Sequence, residues 1–74
     1  MLTSRQTEVL RLASEGRAAK EIARFLGISA RTVEGHFGAM RQRTGTRNMA
    51  ELIAWGIQCG VIPHPVLDGA AVSS

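Results

Sequence analysis

The thirteen residues from Glu21 to Val33, EIARFLGISARTV, constrain the fold more than any other stretch of this chain. Ile22, Ala23 and Leu26 fall on one helical face. Gly27 follows at once, where a helix ends in the left-handed conformation that only glycine enters without strain. Ser29 then supplies a hydroxyl for the orphan amides that open a second helix. Val33 is placed to pack back on the first helix, and Ala23 is small enough to let the two axes approach closely. Six positions in register make this a helix-turn-helix pattern, two helices joined at a sharp corner.

The flanks extend that corner into an all-α fold. Thr3-Ser4-Arg5-Gln6 has the Thr-x-x-Gln form of a capping box, so a first helix begins at Ser4. Gln6, Val9, Leu10 and Ala13 share its inner face, with Leu12 beside them, and Gly16 ends it. The second helix spans about Ala19–Leu26 and starts poorly capped, because Ala18 stands where Ser, Thr or Asp is preferred. A third runs from about Ala30 to Gln42 or Arg43, with Gly45 as its stop. Asn48-Met49-Ala50-Glu51 resembles a second capping box and opens a fourth helix that ends near Cys59-Gly60. Val61 and Ile62 then fold back on the core. From Pro63 the composition turns to Pro, Gly, Ala and Ser. The expected organisation is one domain over residues 1–62, a compact four-helix bundle with a central helix-turn-helix, and a flexible tail over residues 63–74. No strand alternation, hairpin turn or internal repeat interrupts this pattern.

Composition narrows the function. With 74 residues the chain is near the lower size limit for folding without a metal or disulfides, and its 45% apolar, 4% aromatic content suits a small helical core. The single Cys59 excludes an internal disulfide, and with only two histidines it makes no zinc site. His36, His64, Cys59 and the scattered serines form no nucleophile–base arrangement and no glycine loop cradles phosphate, so neither an enzyme nor a cofactor is expected. No stretch reaches the length of a membrane span and the N-terminus lacks a signal layout, so no membrane partner and a cytoplasmic location are expected. All nine Lys and Arg lie between Arg5 and Arg47 against four acids, whereas residues 48–74 hold only Glu51 and Asp68. Such asymmetry suits a domain that meets a polyanion with one side.

The third helix is the element that would do so. At 100° per residue, Val33, Met40 and Thr44 cluster on the inner stripe with His36 and Phe37 flanking them. Arg31, Glu34, Gly35, Gly38 and Gln42 occupy the opposite side, and Arg41 and Arg43 the shoulders. A face of small and charged residues can enter a major groove about 12 Å wide while its shoulders meet phosphates. Gly35 and Gly38 each weaken the helix by about 1 kcal/mol relative to Ala. Either a bare backbone is needed for close approach to DNA, or selection on this face is relaxed. Glu34 either accepts from cytosine N4 or repels phosphate and so penalises non-specific binding.

Leu2-Thr3-x-Arg5-x-x-Glu8-Val9-Leu10, Gly16, Lys20-Glu21-Ile22-Ala23, Leu26-Gly27-Ile28-Ser29, Thr32-Val33-x-x-His36 and Gly45…Arg47-Asn48-x-Ala50-Glu51-Leu52 together resemble the LuxR-type (GerE-like) DNA-binding domain, without gaps over about residues 2–62. The resemblance implies a four-helix output module of a bacterial transcription regulator that binds double-stranded DNA as a homodimer built on the fourth helix. It implies phosphate contacts at Lys20, Thr32 and Arg43, with Ser29, Arg31, His36 and Arg47 completing the candidate set, and base-facing positions at Glu34, Gly35 and Gly38. His36 is alternatively a partly buried packing residue. The chain departs from the family pattern in four places. Glu34 replaces a frequent Lys, Gly35 a frequent Thr, Asn or Val, Thr44 a usual Leu or Met, and Ser4 a frequent Pro. The fourth helix carries more apolar surface than one buried stripe uses. Met49, Ile53, Trp55 and Cys59 are candidate dimer contacts, unless Val61, Ile62 and the tail cover that surface.

Other candidate partners are RNA polymerase and an N-terminal sensor or receiver domain absent from this chain. Met1 before Leu2-Thr3 marks either a free-standing regulator or a piece of a longer one. Two alternatives compete. Region 4 of sigma factors shares the Glu-Ile-Ala…Leu-Gly-Ile-Ser…Thr-Val stretch but lacks the capped fourth helix at Asn48–Glu51. A protein-interaction module with weak or no DNA affinity would account for Glu34 and the glycines.

Overall fold

In the computed structural model, which describes residues 2–63, the chain forms four helices: α1 (Ser4–Ser14), α2 (Ala19–Leu26), α3 (Ala30–Thr44) and α4 (Met49–Gln58). Among the described residues there is no strand. Local chemistry explains each start. Thr3 Oγ1 accepts from the Gln6 amide at 3.1 Å and Gln6 Oε1 accepts from the Thr3 amide at 3.0 Å, closing the reciprocal box at α1. Ala18 has no side-chain oxygen to cap α2, though its carbonyl accepts from the Glu21 and Ile22 amides. Glu21 compensates in part, its Oε1 accepting from the Ala18 amide at 3.1 Å. At α4, Asn48 Oδ1 accepts from the Glu51 amide at 2.9 Å, but Glu51 Oε1 reaches the Arg47 amide at 2.8 Å rather than that of Asn48. The box is therefore offset by one residue. Asn48 is more extended (φ −153°) than Thr3 (φ −74°), which turns the preceding amide toward the carboxylate.

The helix ends follow the glycines. Gly27 and Gly45 both sit in the left-handed region, at φ 71° and 73°, and their amides donate to Ala23 and Arg41 carbonyls. α3 runs through Thr44, slightly past the expected end and up to the cap at Gly45, and the Thr44 hydroxyl donates to the Met40 carbonyl at 2.9 Å and pairs with Thr46 Oγ1 at 2.8 Å. Thr44 thus meets its polar demand locally while half-buried.

One core joins the helices. Val9 and Leu10 from α1, Ile22 from α2, Val33 and Met40 from α3 and Leu52 from α4 are fully buried. Gln6 is the buried polar residue among them, and its capping bonds satisfy it. After α4 the Val61 and Ile62 amides both donate to the Gly56 carbonyl, at 2.8 and 3.0 Å, which folds Ile62 onto the core. Gly56 is needed for that return. A Cβ there would stand 2.7 Å from Ile62 Cδ1 and 3.1 Å from Leu10 Cδ2. The expected tail lies outside the described residues, apart from Pro63.

Candidate nucleic-acid interface

The corner at Gly27 and the cap at Ser29 set how α3 leaves the body of the domain. Ser29 Oγ accepts from the Thr32 amide at 3.0 Å and lies 2.9 Å from Thr32 Oγ1. The Ser29 and Thr32 hydroxyls bond to each other, so whichever donates, one hydroxyl proton of the pair remains to be offered outward. Among the described residues nothing accepts from the Ala30 and Arg31 amides, which open the positive end of α3 to solvent. Ser29→Ala is expected to lower stability by about 1 kcal/mol, seen as a lower urea midpoint, with Ser29→Asp restoring most of it. An unchanged midpoint would show that the serine does not cap α3.

Val33, Phe37 and Met40 bury the inner stripe of α3, so the other side must face out. Arg31, Thr32, Glu34, Gly35, Gln42 and Arg43 are exposed, and His36 and Gly38 are half-buried. A Cβ at Gly35 or Gly38 would meet nothing within 4 Å. No internal packing requires either glycine, in contrast to Gly56. Gly35, Arg31 and Gln42 lie at the centre of the outer face. Glu34 sits on its flank and lines, with Arg17, Arg41, Phe37 and Met49, an open recess of about 360 Å³. Arg41 is half-buried there, its Nη1 3.8 Å from Met49 Sδ.

The cations divide into two groups. Arg5, Arg17 and Arg47 pair with Glu8, Glu15 and Glu51 at 3.5, 3.1 and 3.5 Å. The Arg47 side chain nevertheless stays 86% exposed, so its guanidinium remains open to an incoming anion. Lys20 and Arg31 are exposed and make no ion pair among the described residues. On α4, Met49, Ile53 and Trp55 are half-buried against the core, whereas Cys59 is exposed. One prominent residue escaped the sequence reading. Phe25, on α2, is 66% exposed, with the Arg17 guanidinium 5.9 Å from its ring centroid. Its place off the Ile22–Ala23–Leu26 face was the available signal. Among the described residues no helix is long and apolar enough to cross a membrane, and no group of His, Cys, Asp and Glu could hold a metal ion.

Two helices joined at a glycine corner, the second held to the core by one stripe and open on its opposite side, are the architecture of a helix-turn-helix domain. The chain matches the GerE model, bacterial regulatory proteins of the luxR family, over residues 1–55, and it belongs to that family. It is 44% identical over 73 residues to the transcriptional activator protein AhyR of Aeromonas hydrophila, an alignment covering 99% of this chain and 28% of AhyR. It is 37% identical over 67 residues to the transcriptional activator protein LuxR of Aliivibrio fischeri, covering 90% of this chain and 27% of LuxR. YgeK of Escherichia coli, an uncharacterized response regulatory protein, is 38% identical over 60 residues, with 81% of this chain and 41% of YgeK covered. The chain thus spans well under half the length of these relatives. Its family is one of bacterial transcription regulators.

Proposed function

We propose that this chain is the sequence-specific DNA-binding output domain of a bacterial transcription regulator, with α3 seated in the major groove. The observation that carries the reading is the outer face of α3, which is open to solvent, free of internal packing demands at Gly35 and Gly38, and carries Arg31 with no ion pair among the described residues. Lys20, Ser29, Arg31, Thr32, His36, Arg43 and Arg47 contact phosphates. Glu34, Gly35 and Gly38 face the bases, Glu34 from the flank. Two copies associate through Met49, Ile53, Trp55 and Cys59 of α4 and its end, and binding to adjacent half-sites raises affinity by effective concentration. A single copy binds non-specific duplex with a Kd of about 10⁻⁴–10⁻⁶ M at physiological salt. The greater length of the relatives is in keeping with a sensor or receiver domain as a further part of the whole regulator; the proposed setting is the cytoplasm, with RNA polymerase as a further partner.

Titration of mixed-sequence duplex at several salt concentrations tests this. The four Lys and Arg among these contacts, Lys20, Arg31, Arg43 and Arg47, give a log–log salt slope of about −4. Lys20→Ala should weaken binding to every sequence alike and make the slope shallower by about 1. Glu34→Lys should strengthen non-specific binding if the carboxylate repels phosphate. A flat salt response would instead identify a protein-interaction module and refute the DNA reading.

A further inference from the structure

The middle of the outer face of α3 is bare. A Cβ at Gly35 or Gly38 would meet nothing within 4 Å, and the amides and carbonyls of both glycines lie inside the helix, where the backbone ladder uses them. A duplex laid on this stretch can approach closely but finds no group there that tells one base pair from another. Sequence-specific binding therefore has to come from side chains elsewhere on the same face.

Gln42 is placed to supply it. It stands four residues beyond Gly38 and seven beyond Gly35, on the same stripe one and two turns further on. At 1.5 Å per residue it lies about 6 Å past Gly38, or roughly two base steps of about 3.4 Å. It is exposed, and its carboxamide has no hydrogen-bond partner among the described residues. The glycines ahead of it let the helix axis sink toward the groove floor, so a long side chain one turn later can reach a base edge.

Side-chain chemistry separates Gln42 from its neighbours. Arg31 shares the stripe but is a cation at the opening of α3, suited to phosphate. Arg43 stands about 100° round, on the shoulder that meets the groove wall. Glu34 enters from the flank and, when ionised, can only accept. Gln42 is neutral, so phosphates attract it little, and its planar head holds a donor beside an acceptor. That pair is the bidentate match for N6 and N7 of adenine in the major groove.

We propose that Gln42 is a specificity-determining residue of this domain, reading an adenine through its carboxamide while Gly35 and Gly38 bring the helix close enough for it to do so. The assignment rests on the DNA reading above and adds a base contact at a position outside Glu34, Gly35 and Gly38.

The test selects duplexes from a pool randomised over about ten base pairs, one helical turn, using the 74-residue chain and its variants, and counts base frequencies by sequencing. The parent should enrich adenine at a position where Gln42→Ala does not. Discrimination there should fall about tenfold, with preferences elsewhere in the site kept. Gln42→Glu should move the preference at that base pair toward cytosine, whose N4 donates to a carboxylate, a change that a purely structural role would not produce. The salt slope of Gln42→Ala should match that of the parent, because no charge is removed, and its urea midpoint should hold or rise, because Ala is the better helix former. Selection of the same sequences by the parent and Gln42→Ala would overturn the proposal. So would a base other than adenine at the affected position, an even loss of preference over the whole site, or an adenine preference that survives Gln42→Glu. Any of these in a parent chain that binds duplex in a salt-dependent way refutes the Gln42 assignment alone, whereas a flat salt response in the parent refutes the DNA reading beneath it.

Discussion

Leu10→Ala is expected to destabilise the domain by about 2–5 kcal/mol. Leu10 is fully buried, and its Cδ2 would stand 3.1 Å from a Cβ at Gly56. Gly56 brings no side chain that could relax into the vacated space, so the cavity stays open. At about 0.05–0.15 kcal/mol per residue, a domain of this size has only several kcal/mol of total stability. The variant should therefore be largely unfolded in mild urea, or without any, as read by helical circular dichroism. The same contact predicts coupling. Gly56→Ala crowds Ile62 and Leu10 in the parent chain, and in the Leu10→Ala background one of those two clashes is gone. A double-mutant cycle should show that the second substitution costs less there than in the parent. A loss below about 1 kcal/mol for Leu10→Ala would contradict a close-packed α1–α4 contact.

Those two residues also mark where sequence reasoning succeeds and stops. Leu10 was legible because helical periodicity alone sorts Gln6, Val9, Leu10, Leu12 and Ala13 to one side, and all five are buried. The corner was legible for a similarly local reason, since Gly27 and Ser29 act on residues within one turn of themselves. Gly56 was not. Its need for a bare backbone comes from Ile62 and Leu10, neither of which adjoins it in sequence. Glu51 belongs to the same class, because its choice of the Arg47 amide depends on the backbone angle at Asn48. The exposed side of α3 followed from the placement of Val33, Phe37 and Met40. Which of its residues meet phosphate and which meet bases depends on a duplex rather than on the fold, so neither periodicity nor packing assigns those roles. For Gly35 and Gly38 the structure does narrow the choice. Both open on empty space, so their cost to the helix has no compensation within the domain.

That uncompensated cost allows folding and binding to be separated at the same two positions. Replacing Gly35 and Gly38 together by Glu should leave the fold intact, or stabilise it by up to about 1 kcal/mol at each site, because Glu is a better helix former than Gly. The added side chains meet nothing inside the protein and project from the face proposed to enter the groove. Two carboxylates there would meet phosphates of like charge and occupy the space of the base edges. With about 1–3 kcal/mol at stake for each base contact, duplex affinity should fall by at least about a hundredfold while the urea midpoint holds or rises. The paired Ala variant identifies the cause. It gains the same helix propensity without charge, so retained affinity assigns the loss to repulsion, and lost affinity assigns it to a backbone that must lie against the DNA. Either result keeps α3 at the interface. A Glu pair that binds duplex as tightly as the parent would remove α3 from the groove, because no protein contact exists at these positions to shelter the new charges.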